Sequence, residues 1–321
     1  MTYVLAIHGG AGVIQSGADE QAYHAGLQAA LVAGESILSS GGSAIDAVLA
    51  AVVSLENCPL FNAGLGAVFT SAGNHELDAS IMDGATLDAG AVAGVRHVKN
   101  PILAAHAVLK DERFVLLGGE SADLFALEAE LEPVPNSYFS TDHRHAQLLA
   151  VQSQDPERAV LDHSVTVDPV SVSNKKITGK DDTRKFGTIG AVALDNAGHL
   201  AAATSTGGMT NKRPGRIGDT PLIGAGVYAN DMSCAVSATG TGEHFIRACV
   251  AHDIHARMAY GGASLESAAS ASIHGNLTSI GGEGGVIAID KNGSLVLTFN
   301  SRGMYRGWVR EGEAATTKIF R

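Results

Sequence analysis

The chain has 321 residues, 45% of them hydrophobic but only 5% aromatic, and a formal net charge of −11 from 33 acidic and 22 basic side chains. That length suits one large domain or two ordinary ones, and the acidic balance argues against nucleic acid or an anionic membrane as the main partner. No apolar run approaches a membrane span, the first residues lack a basic region and a signal-peptide core, and Cys58, Cys234 and Cys249 fit neither a disulfide framework nor a zinc knuckle, so a cytoplasmic protein is expected.

Val4–Ile7 reads as a short strand running into His8-Gly9-Gly10-Ala11-Gly12. The spacing is not GxGxxG and no Lys-Ser/Thr follows, so a tight backbone packed on a neighbour is preferred to a phosphate cradle. Apolar residues from Gln21 to Leu38 recur at helical spacing, and Gly41-Gly42 stops them. Ser43 then caps a second helix, with Asp46 three residues on and Ala47, Val48, Ala51, Val52 and Leu55 on its buried face. The loop Asn57–Gly66 is apolar and has no carboxylate cluster. It is either a core plug or a curl of carbonyls around a hard cation. Val68–Thr70 and Glu76–Met82 are expected to pair as a hairpin about Ser71-Ala72-Gly73-Asn74, followed by a strand over Ala89–Val95.

Asn100-Pro101 opens a helix through Leu109. Phe114–Leu117 reads as a strand, Ser121 as the cap of a helix to Leu131, and Thr141 as the start of one to Gln152. His143, His145 and His163 invite a metal reading, but the first two are spaced i, i+2 and do not converge, so a solvated face is preferred. Ser164–Lys185 is polar, crowded with charge and without periodicity, which reads as a mobile surface linker. The chain then changes texture at Lys185-Phe186-Gly187-Thr188-Ile189-Gly190 into a buried strand through Asp195. Hairpins are expected over Thr188–Ser205 and Gly285–Phe299, strands over Leu222–Tyr228 and Cys234–Ser237, and helices over Glu243–Tyr260 and Ser264–Ile273. Hairpins on both sides of the junction, with helices in pairs, favour an α+β layered sandwich over a doubly wound parallel sheet.

The Gly187-Thr188 pair has two readings. One is a loop glycine before a β-branched residue that opens a strand. The other is a self-cleavage point. A threonine hydroxyl needs an adjacent base, and no His or Cys stands near Thr188 in sequence. Cleavage would give Thr188 its own α-amine, which titrates at about 7.7–8.0 in reference peptides, so one residue would supply nucleophile and base.

Seven blocks in order carry a resemblance: His8-Gly9-Gly10-Ala11-Gly12, Pro59-Leu60-Phe61-Asn62-Ala63-Gly64, His75-Glu76-Leu77-Asp78-Ala79, Gly187-Thr188-Ile189-Gly190-Ala191-Val192, Thr204-Ser205-Thr206-Gly207-Gly208, Pro214-Gly215-Arg216-Ile217-Gly218-Asp219 and Thr239-Gly240-Thr241-Gly242-Glu243. The chain resembles the plant-type L-asparaginases, or isoaspartyl peptidases, of the N-terminal-nucleophile hydrolases. The resemblance implies a four-layer αββα sandwich made as a precursor that cleaves itself before Thr188. Residues 1–187, with the flexible linker 164–187, would form an α-subunit and residues 188–321 a β-subunit, together one structural domain and usually paired as an (αβ)2 heterotetramer. It implies Thr188 as nucleophile, Thr206 orienting it, Thr239 and Gly240 at the oxyanion hole, and Arg216 with Asp219 clamping the substrate's α-carboxylate and α-amine. Gly242 and Asn62 would line the substrate site. A structural sodium would sit on the carbonyls of Leu55, Glu56, Cys58, Phe61, Ala63 and Leu65, and no organic cofactor is expected. Two rivals stand beside this reading. A glycosylasparaginase would carry His-Asp before the threonine, where this chain has Phe186-Gly187. A non-enzymatic ligand-binding protein would stay one uncleaved chain.

Overall fold

The computed structural model of the protein describes residues 2–12, 20–154, 159 and 187–320. The linker Ser164–Lys185 and His163 lie outside them. Among the described residues two sheets form. The larger has eight strands in the order β12 (Thr316–Phe320), β11 (Gly303–Arg310), β1 (Val4–Gly12), β5 (Ile189–Leu194), β6 (Leu200–Thr206), β2 (Leu77–Asp83), β3 (Ala89–Val95) and β4 (Leu116–Gly118). All its pairs are antiparallel except β3 with β4. The smaller sheet is antiparallel, in the order β10 (Leu295–Phe299), β9 (Gly284–Asp290), β8 (Cys234–Gly240) and β7 (Val227–Ala229).

Strand periodicity of two decides which core each side chain joins. Leu5 and Ile7 of β1, with Ile189, Ala191 and Ala193 of β5, face helices α1 (Glu20–Ser39), α2 (Ala44–Glu56) and α3 (Pro101–Asp111). Val4 and Ala6, with Val192 and Leu194, face the second sheet and meet Ala235, Ile287 and Ile289. The other side of that sheet presents Val236, Ala238, Val286 and Ala288 to α7 (Val250–Ala259) and α8 (Leu265–Ser270). The result is an α+β sandwich with helices on both outer sides. Each large apolar side chain buried this way is worth about 1.5–3 kcal/mol, while the many Ala and Gly residues let the sheets approach closely. A Cβ at Gly190 would overlap the Ser237 hydroxyl on the facing sheet. Among the described residues, no helix is long and apolar enough to cross a membrane.

Ser43 caps α2 as its sequence suggests, accepting the Asp46 N–H at 3.2 Å. The glycine run after Ile7 continues the strand to Gly12. Gly9 has no room for a Cβ against the Phe61 ring. Several expectations change. Val68–Thr70 does not pair with β2, whose partners are β3 and β6, and Thr70 bridges Lys212 instead. The helix α4 (Gly119–Glu128) has Gly118 at its N-cap and places Ser121 inside its first turn. The run Leu222–Tyr228 is mostly turns, and β7 keeps only its end. The expected Glu243–Tyr260 helix is two, α6 (Gly242–Ala248) and α7, broken where Cys249 takes a left-handed φ of 47°. After α8 the backbone widens into a π-helical turn over Ala271–Leu277. Strands β11 and β12 were not expected from the sequence, yet β11 is buried and pairs with β1.

Candidate active site

Thr188 is the residue before β5, the strand held between β1 and β6 near the middle of the larger sheet. Its carbonyl accepts from His8 Nδ1 at 3.0 Å, and His8 Nε2 meets Ser237 Oγ at 2.9 Å. Burial lowers His8 to about 3, so the ring is neutral. A carbonyl can only accept, which places the ring proton on Nδ1 and makes Ser237 the donor to Nε2. Ser237 also meets Thr204 Oγ1 at 2.7 Å. A fully buried chain of hydrogen bonds therefore fixes the backbone of Thr188.

The Thr188 hydroxyl donates to Thr206 Oγ1 at 3.1 Å. Thr206 ends β6, and its oxygen also accepts the Gly208 N–H at 3.0 Å. The Gly187 carbonyl accepts the Asn62 N–H at 3.2 Å. The Asn62 side chain is wholly engaged elsewhere: its Nδ2 donates to Gly208 O at 2.8 Å and its Oδ1 accepts the Val68 N–H at 2.9 Å. Asn62 thus acts as a clip that ties its loop to residues 207 and 208. It presents a backbone N–H, and not its amide, to the Gly187–Thr188 bond.

A small cleft joins Gly187, Thr188 and Thr206 to Arg216, Asp219 and Gly240. Arg216 is held by Glu243 through two bonds, Nε to Oε1 at 2.9 Å and Nη2 to Oε2 at 3.0 Å. This fork is the strong form of the pair. Asp219 is buried, and its Oδ2 has no hydrogen-bond partner. Burial raises its carboxyl to about 7, with Arg216 pulling the other way. A Cβ at Gly242 would sit 2.9 Å from Asp219 Oδ1 and 3.0 Å from Arg216 Nη2, so glycine there keeps the space between the two charges open. Thr239 is fully buried and its hydroxyl accepts the Ala11 N–H at 3.3 Å. Gly240 lines the cleft with backbone alone, since a Cβ would strike the Phe245 ring. Thr241 does not cap α6, because its hydroxyl bonds both ways to the backbone of Glu283. Glu243 was not singled out from the sequence as a site residue, although it closes the Thr-Gly-Thr-Gly-Glu block.

The loop from Leu55 to Leu65 turns on left-handed Gly64 (φ 50°) and Gly66 (φ 99°). A Cβ at Gly64 would collide with the Glu56 carbonyl. Buried Arg144 donates to the carbonyls of Gly66 at 2.7 Å and Leu60 at 3.4 Å, neither of which belongs to the six expected ligands. Of those six, the carbonyls of Leu55, Glu56 and Cys58 each accept a loop N–H, leaving a second lone pair apiece. The Glu56 carboxylate turns to α3 and β6, accepting from Ile102 N at 3.0 Å and Ser205 Oγ at 2.6 Å. Neutral main-chain oxygens fit a hard alkali cation and not a transition metal. Among the described residues, no group of three or more His, Cys, Asp or Glu side chains could hold a metal ion. His143 bonds Gln147 within α5 (Asp142–Gln154), and His145 packs on Phe69.

The family model described as "Asparaginase" matches residues 1–319. The chain is 52% identical to the isoaspartyl peptidase of Escherichia coli (strain K12) over 322 residues, 99% of this chain and 96% of that protein. It is 51% identical to the isoaspartyl peptidase of Salmonella typhimurium, across 99% and 98% of the two chains. It is also 39% identical to a probable isoaspartyl peptidase/L-asparaginase 2 of Arabidopsis thaliana, across 96% of each.

Asp219 makes the cleft sensitive to pH. Its carboxyl ionises near 3.8 when unperturbed and near 7 in the folded chain. Folding therefore takes up a proton between those values, and the stability Asp219 contributes falls as pH rises through that window. Asp219→Asn, neutral throughout, is expected to gain thermal stability over the unsubstituted protein from pH 4 to pH 8. A melting-temperature difference independent of pH would contradict the buried, unpartnered carboxyl.

Proposed function

The chain belongs to the asparaginase family, and from that membership we propose that it is an amidohydrolase acting on isoaspartyl dipeptides and on the side-chain amide of L-asparagine through Thr188. The observation that carries the proposal is the placing of a buried threonine hydroxyl, already bonded to Thr206, in one cleft with Arg216 and the unpartnered Asp219 carboxyl.

In this reading the chain first cleaves itself. Thr188 Oγ attacks the Gly187 carbonyl carbon, the peptide becomes an ester, and water releases a Gly187 carboxylate and a free Thr188 amine. The carbonyl oxygen that gains charge in that step already accepts the Asn62 N–H, the kind of donor that stabilises an oxyanion. Residues 1–187 and 188–321 remain together, because β1 pairs with β5 and β11, and β2 with β6, across the cleavage point. In turnover, the Thr188 amine takes the hydroxyl proton as Oγ attacks the substrate's β-carbonyl. It then passes that proton to the leaving amine. The backbone about Thr239 and Gly240 faces the developing oxyanion, and water hydrolyses the aspartyl ester. Arg216 takes the α-carboxylate and Asp219 the α-ammonium, a charged partner for its buried oxygen.

The finer parts of the reading follow from the family. The sandwich is the four-layer αββα form of the N-terminal-nucleophile hydrolases, two αβ pairs assemble, and the enzyme works in the cytoplasm, where its three free cysteines stay reduced. The carbonyls of Leu55, Glu56, Cys58, Phe61, Ala63 and Leu65 would hold a sodium ion that rigidifies the Asn62 loop and takes no part in bond making.

Three outcomes are expected. On a denaturing gel the purified protein should give two chains, of 187 and 134 residues, the smaller beginning at Thr188, and Thr188→Ala should give one. Active enzyme with an intact chain would refute the scheme. The processed enzyme should hydrolyse β-linked Asp-Leu and leave α-linked Asp-Leu intact. An α-linkage uses up the carboxylate that Arg216 needs, a loss on the order of a few kcal/mol. Arg216→Ala should raise KM by about 10²-fold or more on the same reasoning while leaving self-cleavage intact, and equal rates on the two linkages would remove Arg216 and Asp219 from their roles. Finally, replacing sodium by a bulky organic cation should lower the melting temperature. Glu56→Gln should leave that sodium dependence in place, since the carboxylate points elsewhere. A melting temperature indifferent to sodium would end the cation assignment.

A further inference from the structure

Two buried charges beside the cleft have no part in the scheme above. Lys212 is 1% exposed, and its Nζ donates to the Glu76 carbonyl at 2.7 Å. Its stem and ammonium lie directly over Gly208: a Cβ there, at a left-handed φ of 83°, would sit 2.8 Å from Nζ and 2.9 Å from Cδ. Gly208 is the residue whose N–H holds Thr206 Oγ1, which in turn accepts the Thr188 hydroxyl. Asp78 is fully buried and stands opposite Thr206 in the β2–β6 register, so the two side chains share one face of the sheet. Asp78 Oδ1 accepts the Gly94 N–H at 2.8 Å, while Oδ2 has no hydrogen-bond partner.

Burial pushes the Lys212 ammonium down and the Asp78 carboxyl up, and each opposes that trend in the other. The other ionisable groups around them are Glu76, Arg216 and, near Lys212, His75, which burial keeps neutral. Asp219 lies within electrostatic reach of Asp78. On the far side of Thr188, His8 is neutral. A buried carboxyl and a buried amine, each favouring the other's charged form, are therefore set against the Thr206–Gly208 segment, with the carboxyl on the strand residue opposite Thr206.

We propose that Asp78 and Lys212 are a positioning charge pair, which holds the Thr206–Gly208 segment against Thr188 and sets the protonation of the Thr188 amine in the cleaved enzyme. The inference rests on the reading of Thr188 as an N-terminal nucleophile. Cross-strand Cα atoms stand about 5 Å apart, and one hydroxyl contact links Thr206 to Thr188, so Asp78 lies within about 10 Å of the amine. A unit charge at that range moves a neighbouring pKa by about one unit at an effective dielectric near 20. Asp78 favours the protonated amine and Lys212 the free base, so turnover near neutral pH depends on their balance.

The test is the pH profile of kcat at saturating L-asparagine. Under saturation Asp219 is paired with substrate, and the acidic limb reports the amine. Asp78→Asn removes the negative charge beside Thr206 and should move that limb to lower pH by about one unit. Lys212→Arg keeps the charge and should leave the limb where it is, with kcat reduced by the poorer fit over Gly208. An unmoved limb in Asp78→Asn, whatever its kcat, would overturn the proposal and leave the pair a packing feature. So would failure of both variants to self-cleave, because a charge-setting cation must tolerate arginine. Absence of asparagine hydrolysis by the unsubstituted enzyme would instead refute the function and is distinguished by that control.

Discussion

The position of Thr188 is set by the crowding of two sheets at the start of β5. Gly190 has no room for a methyl group against Ser237, and His8 bridges from Ser237 to the Thr188 carbonyl. These contacts join residues 180 and 229 positions apart in sequence. They fix the backbone of Thr188 before any side chain of the cleft is considered. The surrounding parts then arrive by topology. The end of β6 brings Thr206 to the hydroxyl, the loop beyond it brings Arg216 and Asp219, and the end of β8 brings Thr239 and Gly240.

The polar groups of the cleft divide into spent and unspent. Asn62, Thr204 and Ser237 use their side chains on neighbouring protein atoms and so act as scaffold. Arg216 is half committed, its outer edge locked by Glu243 and its Nη1 facing Gly218. Asp219 keeps a buried oxygen without a partner. A buried carboxyl in that state is costly unless a cation completes it.

Much of this was legible in the residues. Local signals gave α1 and α2 with the Ser43 cap. The switch of texture at Gly187-Thr188 gave β5, and the ordered blocks gave the residues that gather in the cleft. The misses are those where tertiary contacts outweigh local pattern. Thr70 left its expected hairpin because Lys212, far along the chain, offered it a bridge. Cys249 breaks a helix whose apolar periodicity runs on through it, since the left-handed turn there redirects α7 onto the second sheet. β11 reads as a mixed polar run, with Arg306 and Trp308 in it, and becomes a buried strand only because β1 lies beside it. Glu243, Asp78 and Lys212 carry no signal of their own. Their significance is a matter of which charges the folded chain places against one another.

The central claim is that one threonine carries the acyl group in turnover. It is tested most directly by mixing the processed enzyme with L-asparagine, quenching in acid within the first turnover, and measuring the intact mass of each chain. The account predicts one aspartyl unit added to the chain that begins at Thr188, mapped to that residue and lost when the pH is returned to neutral. Hydrolysis proceeding with no such adduct on that chain, or with the adduct on another residue, would contradict it.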